Sequence, residues 1–178
     1  MLNPMTTVAA QRHIIAILLQ NEAGALSRVA GLFSTRGYNI ESLSVAPTDD
    51  PTVSRVTLVT SASDAVIQQI VNQLHKLIDV VQVEDMTRGE HIERELVLLK
   101  LRVEHKHTDA LRGYVVRTGG RVLDPALDCF IVELTASEAE IETFIGELAT
   151  HAELLEVVRS GALGVGRTGR SLQRHAVG

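Results

Sequence analysis

Residues 21–39 have the sequence NEAGALSRVAGLFSTRGYN, which predicts a loop, an amphipathic helix and a glycine stop. Apolar residues recur at helical spacing and predict one apolar stripe, made of Leu26, Val29, Ala30, Leu32 and Phe33. Gly24 stands where the helix begins, and Gly37 stands where a helix end favours a residue that tolerates positive φ. Asn21 ends the preceding apolar strand and Asn39 opens the next one. The stretch therefore brackets a helix start with two neutral amide side chains, an arrangement suited to a small zwitterion.

The composition excludes several classes of protein. The 178 residues are 45% hydrophobic but only 3% aromatic, which predicts an aliphatic core in one large domain or two small ones. A net charge of -5 provides no basic field for nucleic acid. No apolar run approaches the ~20 residues that a membrane helix needs, and the first twelve residues lack the pattern of a secretory signal. The single cysteine, Cys129, excludes an internal disulfide and is predicted to be a buried structural thiol. We therefore expect a cytoplasmic protein.

The first half of the chain predicts the element order βαββαβ. Strands are expected at residues 13–19, 40–45, 53–60 and 80–84, with Ile40 out of phase and placed either before its strand or at a bulge. Asp64 is the expected N-cap of a second helix, whose predicted apolar face is Val66, Ile67, Ile70, Val71, Leu74, Leu77 and Ile78. This order is typical of a ferredoxin-like layer, in which one antiparallel sheet carries two helices on one face.

The second half repeats the same order. Strands are expected at 96–103, 121–124, 128–135 and 154–159, and a short helix is expected to end at Gly119. Ser137 and Glu140 match a capping box that would start the last helix. The predicted fold class is therefore α+β with two ferredoxin-like βαββαβ domains. The expected boundaries are a flexible N-terminus at 1–12, a first domain at 13–85, a linker at 86–94, a second domain at 95–166 and a disordered tail at 167–178.

No catalytic constellation is present in the sequence. It contains no phosphate loop, dinucleotide fingerprint, cysteine metal set or nucleophile elbow. His105 and His107 could contact a metal, but without a third nearby ligand a solvated loop is the better interpretation. The chain is therefore expected to bind and regulate rather than to catalyse.

The start of the predicted helix is the best candidate for binding. Its free N–H groups and partial positive charge suit a carboxylate, and Asn21 and Asn39 could bind an ammonium group or the carboxylate. Leu26 and Ile40 could form a small aliphatic pocket, and Arg28 is predicted to face solvent. The alternative is that the first loop is an ordinary turn and that Asn39 is an ordinary loop asparagine.

Several motifs resemble the small regulatory subunit of acetolactate synthase, also called acetohydroxyacid synthase. They are GALSRV, RGYNIESL, PTDDP and LHKL in the first half, with REL and EVVRSGALGVGR in the second, and the resemblance spans nearly the whole chain. Residues 103–124 follow the family pattern only loosely.

The resemblance implies an N-terminal ACT domain, the ligand-sensing form of the βαββαβ fold, that pairs with a second copy. It implies that valine or another branched-chain amino acid binds between the two copies. The implied effector-binding residues are Asn21, Gly24, Ala25 and Leu26 from one chain, with Asn39 and Ile40 from its partner and Ala46 close to the same interface. The implied partner is a large catalytic subunit that holds thiamine diphosphate, Mg and FAD, none of which is expected in this chain.

Two other functions remain open on the residues alone. The main alternative is a free-standing amino-acid sensor that acts on another partner, such as a transcription regulator, although no helix-turn-helix is evident in the sequence. The second is an enzyme in its own right, for which no catalytic set was found.

Overall fold

The computed structural model describes residues 10–167 and Leu172. The N-terminal elements are β1 (Gln11–Gln20), α1 (Ala25–Thr35), β2 (Ser42–Pro47), β3 (Val53–Ala62), α2 (Asp64–Leu74) and β4 (Val80–Asp85). They are followed by β5 (His91–Arg102), α3 (Thr108–Arg117), β6 (Arg121–Ala126), β7 (Cys129–Ala136), α4 (Glu138–His151), β8 (Glu153–Arg159) and β9 (Leu163–Gly166). Two 3-10 turns lie at Met86–Arg88 and His105–His107.

The chain divides into two compact units. The first takes in the described residues up to Ile92 and resumes at Gly164, and the second spans Glu93–Leu163. Each unit has the order βαββαβ around an antiparallel sheet, which confirms the predicted α+β class with two ferredoxin-like folds.

The first unit is built on a sheet with the strand order β2-β3-β1-β4. β1 pairs with β3 along its whole length, from Gln11 opposite Ala62 to Gln20 opposite Val53. Alternate side chains along β1 pack against the helices, because successive side chains of a strand point to opposite faces of the sheet. The shared core contains Ile15, Ile17, Leu19, Ala25, Val29, Phe33, Val56, Leu58, Ile67, Ile70 and Leu74. This sheet fixes the loop between β1 and α1, where the candidate site lies.

Helix α2 is shorter than its apolar pattern predicts. Its N-cap is Ser63, one residue before the expected Asp64, and the helix ends at Leu74. The backbone then closes into a tighter turn, in which the N–H of Leu77 donates to the carbonyl of Leu74. The helical period stops there, so Ile78 is 86% exposed and the prediction that it joins the buried face is wrong.

The segment predicted as a linker, residues 86–94, is structured. Met86 is buried in its 3-10 turn, and Thr87 Oγ1 accepts a hydrogen bond from the Ile14 N–H at 3.0 Å. β5 has begun by His91, within the predicted linker. Polar composition was a poor guide because hydrogen bonds to neighbouring strands order this segment.

The predicted termini lie largely outside the described residues. Residues 1–9, 168–171 and 173–178 are among those not described, so the expected flexible N-terminus and disordered tail are mostly untested. Gln11 and Arg12, assigned to that N-terminus, are the first residues of β1. At the other end, the N–H of Arg167 donates to the carbonyl of Glu90 at 2.8 Å.

The second unit has the strand order β6-β7-β5-β8. Its core contains Val97, Leu99, Leu101, Leu111, Val115, Phe130, Val132, Leu134, Ile141, Phe144 and Leu148. The predicted glycine stop of α3 is confirmed, since Gly119 has φ +82. Gly120 lies so close to β7 that a Cβ there would be 2.9 Å from the carbonyl oxygen of Glu133. The pair of glycines therefore lets the chain turn tightly from α3 into β6.

The capping box at the start of α4 provides a direct test of local stabilisation. Ser137 accepts a hydrogen bond from the N–H of Glu140, whose carboxylate accepts one from the N–H of Ser137 at 2.8 Å. Ser137→Ala is expected to lower the free energy of unfolding by about 1 kcal/mol, measured by urea denaturation. Ser63→Ala is the matched control, because the Ser63 side chain makes no capping hydrogen bond and its loss should cost less. Equal losses for the two variants would contradict this assignment.

Candidate functional site

The candidate site begins at Gly24, the N-cap of α1. Gly24 has φ +86, a left-handed backbone conformation that residues other than glycine rarely adopt. The first turn of α1 contains no acidic residue, so its positive end is not neutralised locally. Ala25 is buried in the core while Leu26 remains 38% exposed. The helix thus begins with an unneutralised turn beside one exposed aliphatic side chain.

Asn21 connects this loop to the turn between β2 and β3. Its backbone N–H donates to the carbonyl of Thr52 at 2.8 Å, and its side-chain Nδ2 donates to the carbonyl of Pro51 at 3.1 Å. These bonds leave the side-chain carbonyl oxygen of Asn21 as the group that could accept from a ligand. The first loop and the β2–β3 turn therefore form one end of the sheet.

Beside Gly24 lies an ion pair, Arg28 with Asp79, that the sequence did not predict. Arg28, predicted to face solvent, donates from Nε and Nη2 to the two carboxylate oxygens of Asp79, the second at 2.8 Å. Asp79 is buried, and its carbonyl also accepts from the N–H of Gln20. The hydrogen bond from Arg28 holds the pKa of the Asp79 carboxyl below its usual value, against the opposing effect of burial. The pair fixes the guanidinium next to the helix start.

Gly24 is closely approached by this guanidinium. A Cβ built at Gly24 would lie 3.1 Å from Arg28 Nη1. Hence the absence of a side chain at Gly24 leaves space above the helix start that the guanidinium borders.

The remaining predicted residues do not join this site within one chain. Asn39 lies at the other end of the sheet, where its carbonyl accepts from Thr60 Oγ1, and Ile40 precedes β2 and packs against the core. β3 runs between the two ends, and its residues from Val53 to Thr60 span about 23 Å at ~3.3 Å each. Ala46 is on β2, an edge strand of the sheet, and lies opposite Arg55 of β3. Within a single chain, Asn21 and Asn39 therefore do not both lie at the start of α1, although the sequence of residues 21–39 suggested that they would.

The histidines and the cysteine singled out in the sequence do not belong to a metal-binding cluster among the described residues. Among the described residues, no group of three or more His, Cys, Asp or Glu side chains could hold a metal ion. His105 and His107 lie in a 3-10 turn, and the His107 ring is 6.0 Å from that of His151. Cys129 is the first residue of β7 and is half-buried, not buried as predicted.

Within the part of the chain that the structure describes, no helix is both long and apolar enough to cross a bilayer.

Family models match both units. Residues 15–82 match one described as an AHAS small subunit-like ACT domain, and residues 94–168 match one described as the small subunit of acetolactate synthase. The first match contains the candidate site, and the two together span most of the described chain.

Individual relatives and one solved structure agree with these matches. The acetolactate synthase isozyme 3 small subunit of Escherichia coli is 44% identical, over 88% of this chain and 96% of its own length. A probable acetolactate synthase small subunit of Methanothermobacter thermautotrophicus is 34% identical, over 90% and 95%. The crystal structure of the Thermotoga maritima small subunit superposes with a TM-score of 0.80 at 29% identity, over 90% of this chain and 99% of that one. The chain thus belongs to the family of acetolactate synthase small, regulatory subunits.

Proposed function

We propose that this chain senses branched-chain amino acids, and valine first among them, for a large catalytic subunit of acetolactate synthase. The effector binds between two copies of the ACT domain. The small subunit raises the activity of the large subunit, and bound valine reverses that effect. The observation that carries this proposal is the unneutralised helix start at Gly24, placed at an end of the sheet that a second chain can complete.

The topology explains how a second chain would complete the site. β2 is an edge strand, so another β2 can pair with its outer side. Antiparallel pairing about a two-fold axis sets the start of the partner strand beside the end of this one. The partner's Asn39 and Ile40, which precede its β2, then approach the β2–β3 turn to which Asn21 is bonded. Asn21 of one chain and Asn39 of the other therefore approach each other, although about 23 Å of β3 separates the two sheet ends within each chain.

The chemistry of this composite site suits a free aliphatic amino acid. The first turn of α1 attracts the carboxylate, and neutral amides can bind the ammonium group. Leu26 from one chain and Ile40 from the other supply apolar contacts to the side chain. A pocket of this kind distinguishes ligands that differ by one methylene by only ~1–3 kcal/mol, so leucine and isoleucine are expected to act more weakly in the same direction.

Occupancy of the site would reach the large subunit by favouring one geometry of the ACT pair. The coupling expected for such an effect is about 1–3 kcal/mol. Thiamine diphosphate, magnesium and FAD are assigned to the large subunit on the basis of the family resemblance. Both subunits are expected to act in the cytoplasm.

Reconstitution tests the function directly. The large subunit is assayed with and without this chain, and the reconstituted enzyme is titrated with valine, leucine and isoleucine. Activation by the chain together with inhibition by valine supports the proposal. Binding of valine without any effect on the large subunit would instead favour the free-standing sensor, and no binding would refute the effector assignment.

Mixing two variants tests whether the site is shared between chains. Asn21→Ala and Asn39→Ala are each expected to weaken valine binding at both sites of a dimer. In a mixed dimer, the intact Asn21 of one chain meets the intact Asn39 of the other, so one of the two sites is restored. Isothermal calorimetry should therefore show recovered binding after the two variants are co-refolded. A site formed within one chain would show no recovery.

A further inference from the structure

Among the described residues, Asp79 is the one hydrogen-bond partner of the Arg28 guanidinium. Nε and Nη2 donate to its two carboxylate oxygens, and Asp79 is buried whereas 46% of the Arg28 side chain is exposed. A guanidinium carries five N–H donors in one rigid plane. The pair with Asp79 therefore fixes that plane along one edge, while the N–H groups of Nη1 and the second N–H of Nη2 point away from Asp79.

This second edge of the guanidinium borders the start of α1. A Cβ built at Gly24 would lie 3.1 Å from Nη1, but 3.8 Å from Cζ and 4.0 Å from Nη2. Nη1, which takes no part in the pair with Asp79, is thus the guanidinium atom nearest to the space above Gly24. The first turn of α1, which contains no acidic residue, borders the same space. Donors of a fixed side chain and of a helix start therefore converge there.

We propose that Arg28 binds the carboxylate of the effector, and that Nη1 is the donating atom. The inference rests on the proposed effector function and adds a charged contact to it. A guanidinium binds a carboxylate best through two parallel N–H donors, and the edge formed by Nη1 and Nη2 presents such a pair. Asp79 is the positioning residue, because its hydrogen bonds hold the guanidinium plane in place before the effector binds.

The contact determines which part of the effector is recognised by charge. A charged N–H donor bound to a carboxylate makes a hydrogen bond about twice as strong as a neutral one. Valinamide keeps the aliphatic side chain but lacks the carboxylate, so it should bind more weakly than valine. Glu22, exposed on the loop before Gly24, also attracts Arg28 by its charge and would compete with the effector. Glu22→Gln should therefore bind valine at least as tightly as the wild type.

Two variants of the full chain that differ only in the guanidinium test the contact. Asp79→Asn alone retains Arg28, whereas Arg28→Gln combined with Asp79→Asn removes both charges, so neither variant buries an unpaired carboxylate. Calorimetry should show that the double variant binds valine roughly tenfold more weakly than Asp79→Asn. Binding of valinamide should change little between the two variants. A purely structural role for Arg28 would weaken the binding of both ligands alike.

Arg28→Lys provides a second test that does not require the double variant to fold. Lysine keeps a cation for Asp79 but lacks the second edge of a planar guanidinium. The ratio of valine to valinamide affinity should therefore fall, while most of the free energy of unfolding is retained. The matched control is Arg102→Gln, which removes an exposed arginine paired with Glu153 in the second unit and should leave the ratio unchanged.

The outcomes distinguish this contact from the effector function itself. If the wild type binds no valine, the proposed function fails and the role of Arg28 fails with it. If the wild type binds valine, and the variants without the guanidinium keep its ratio of valine to valinamide affinity, the effector function stands and the assignment of Arg28 is overturned.

Discussion

Replacing Gly24 with aspartate is expected to yield a small subunit that still activates the large subunit but no longer responds to valine. The new carboxylate would occupy the space above the helix start and repel the carboxylate of the effector. Its Cβ would already lie 3.1 Å from Arg28 Nη1, a tight contact that the guanidinium would have to shift to relieve. We expect valine affinity to fall about 100-fold or more, equivalent to ~3 kcal/mol, as measured by isothermal calorimetry.

Two controls separate charge from backbone strain. Gly24→Asn has nearly the same shape without the charge, and asparagine tolerates positive φ better than most residues. It should retain more valine binding than Gly24→Asp. Gly37→Asp introduces the same side chain at the other end of α1, at φ +69 and in open space, and should affect the free energy of unfolding but not valine binding. Undiminished valine binding by Gly24→Asp would refute the site.

Local signals in the sequence predicted much of the fold. The helix start at Gly24, the stop at Gly37 and the capping box of Ser137 and Glu140 depend on residues at most a few positions apart. Such features follow from the conformational preferences of individual residues and from the spacing of apolar residues, both of which can be read from a single sequence. The order of elements followed from the same signals.

Contacts between distant residues could not be predicted in this way. Arg28 and Asp79 are 51 residues apart, and a charged residue on the polar side of a helix normally faces solvent. The two asparagines lie at opposite ends of the sheet within one chain for the same reason, because the sheet topology, and not their distance along the chain, decides where each one lies. The end of α2 before Ile78 likewise depended on a turn that the apolar pattern does not show.

The ion pair between half-exposed Arg28 and buried Asp79 accounts for the second large effect. Arg28→Gln would leave the buried carboxylate of Asp79 without its guanidinium. Removing the partner of a buried carboxylate costs more than removing both charges, since an uncompensated charge remains. Because Arg28 is half exposed and water reaches the pair, we expect the midpoint of thermal unfolding to fall by roughly 5 °C at neutral pH. Arg28→Gln combined with Asp79→Asn removes both charges and should recover most of this loss.

The pH dependence of this loss has a defined sign. In the wild-type chain the hydrogen bond from Arg28 depresses the pKa of Asp79, so the pair stabilises the fold above the usual aspartate pKa, and this contribution disappears as the pH falls through the depressed value. In Arg28→Gln both lowering effects of the guanidinium are lost, so burial, which raises the pKa of Asp79, is opposed only by a backbone hydrogen bond. The variant is then penalised at neutral pH and relieved on protonation. The difference in unfolding free energy between the two proteins should therefore begin to shrink as the pH falls toward the usual aspartate pKa of about 4 and should go on shrinking below it, measured by urea denaturation across that range. A difference that stays constant with pH would show that Arg28 stabilises the helix start through packing and not through the charge of Asp79.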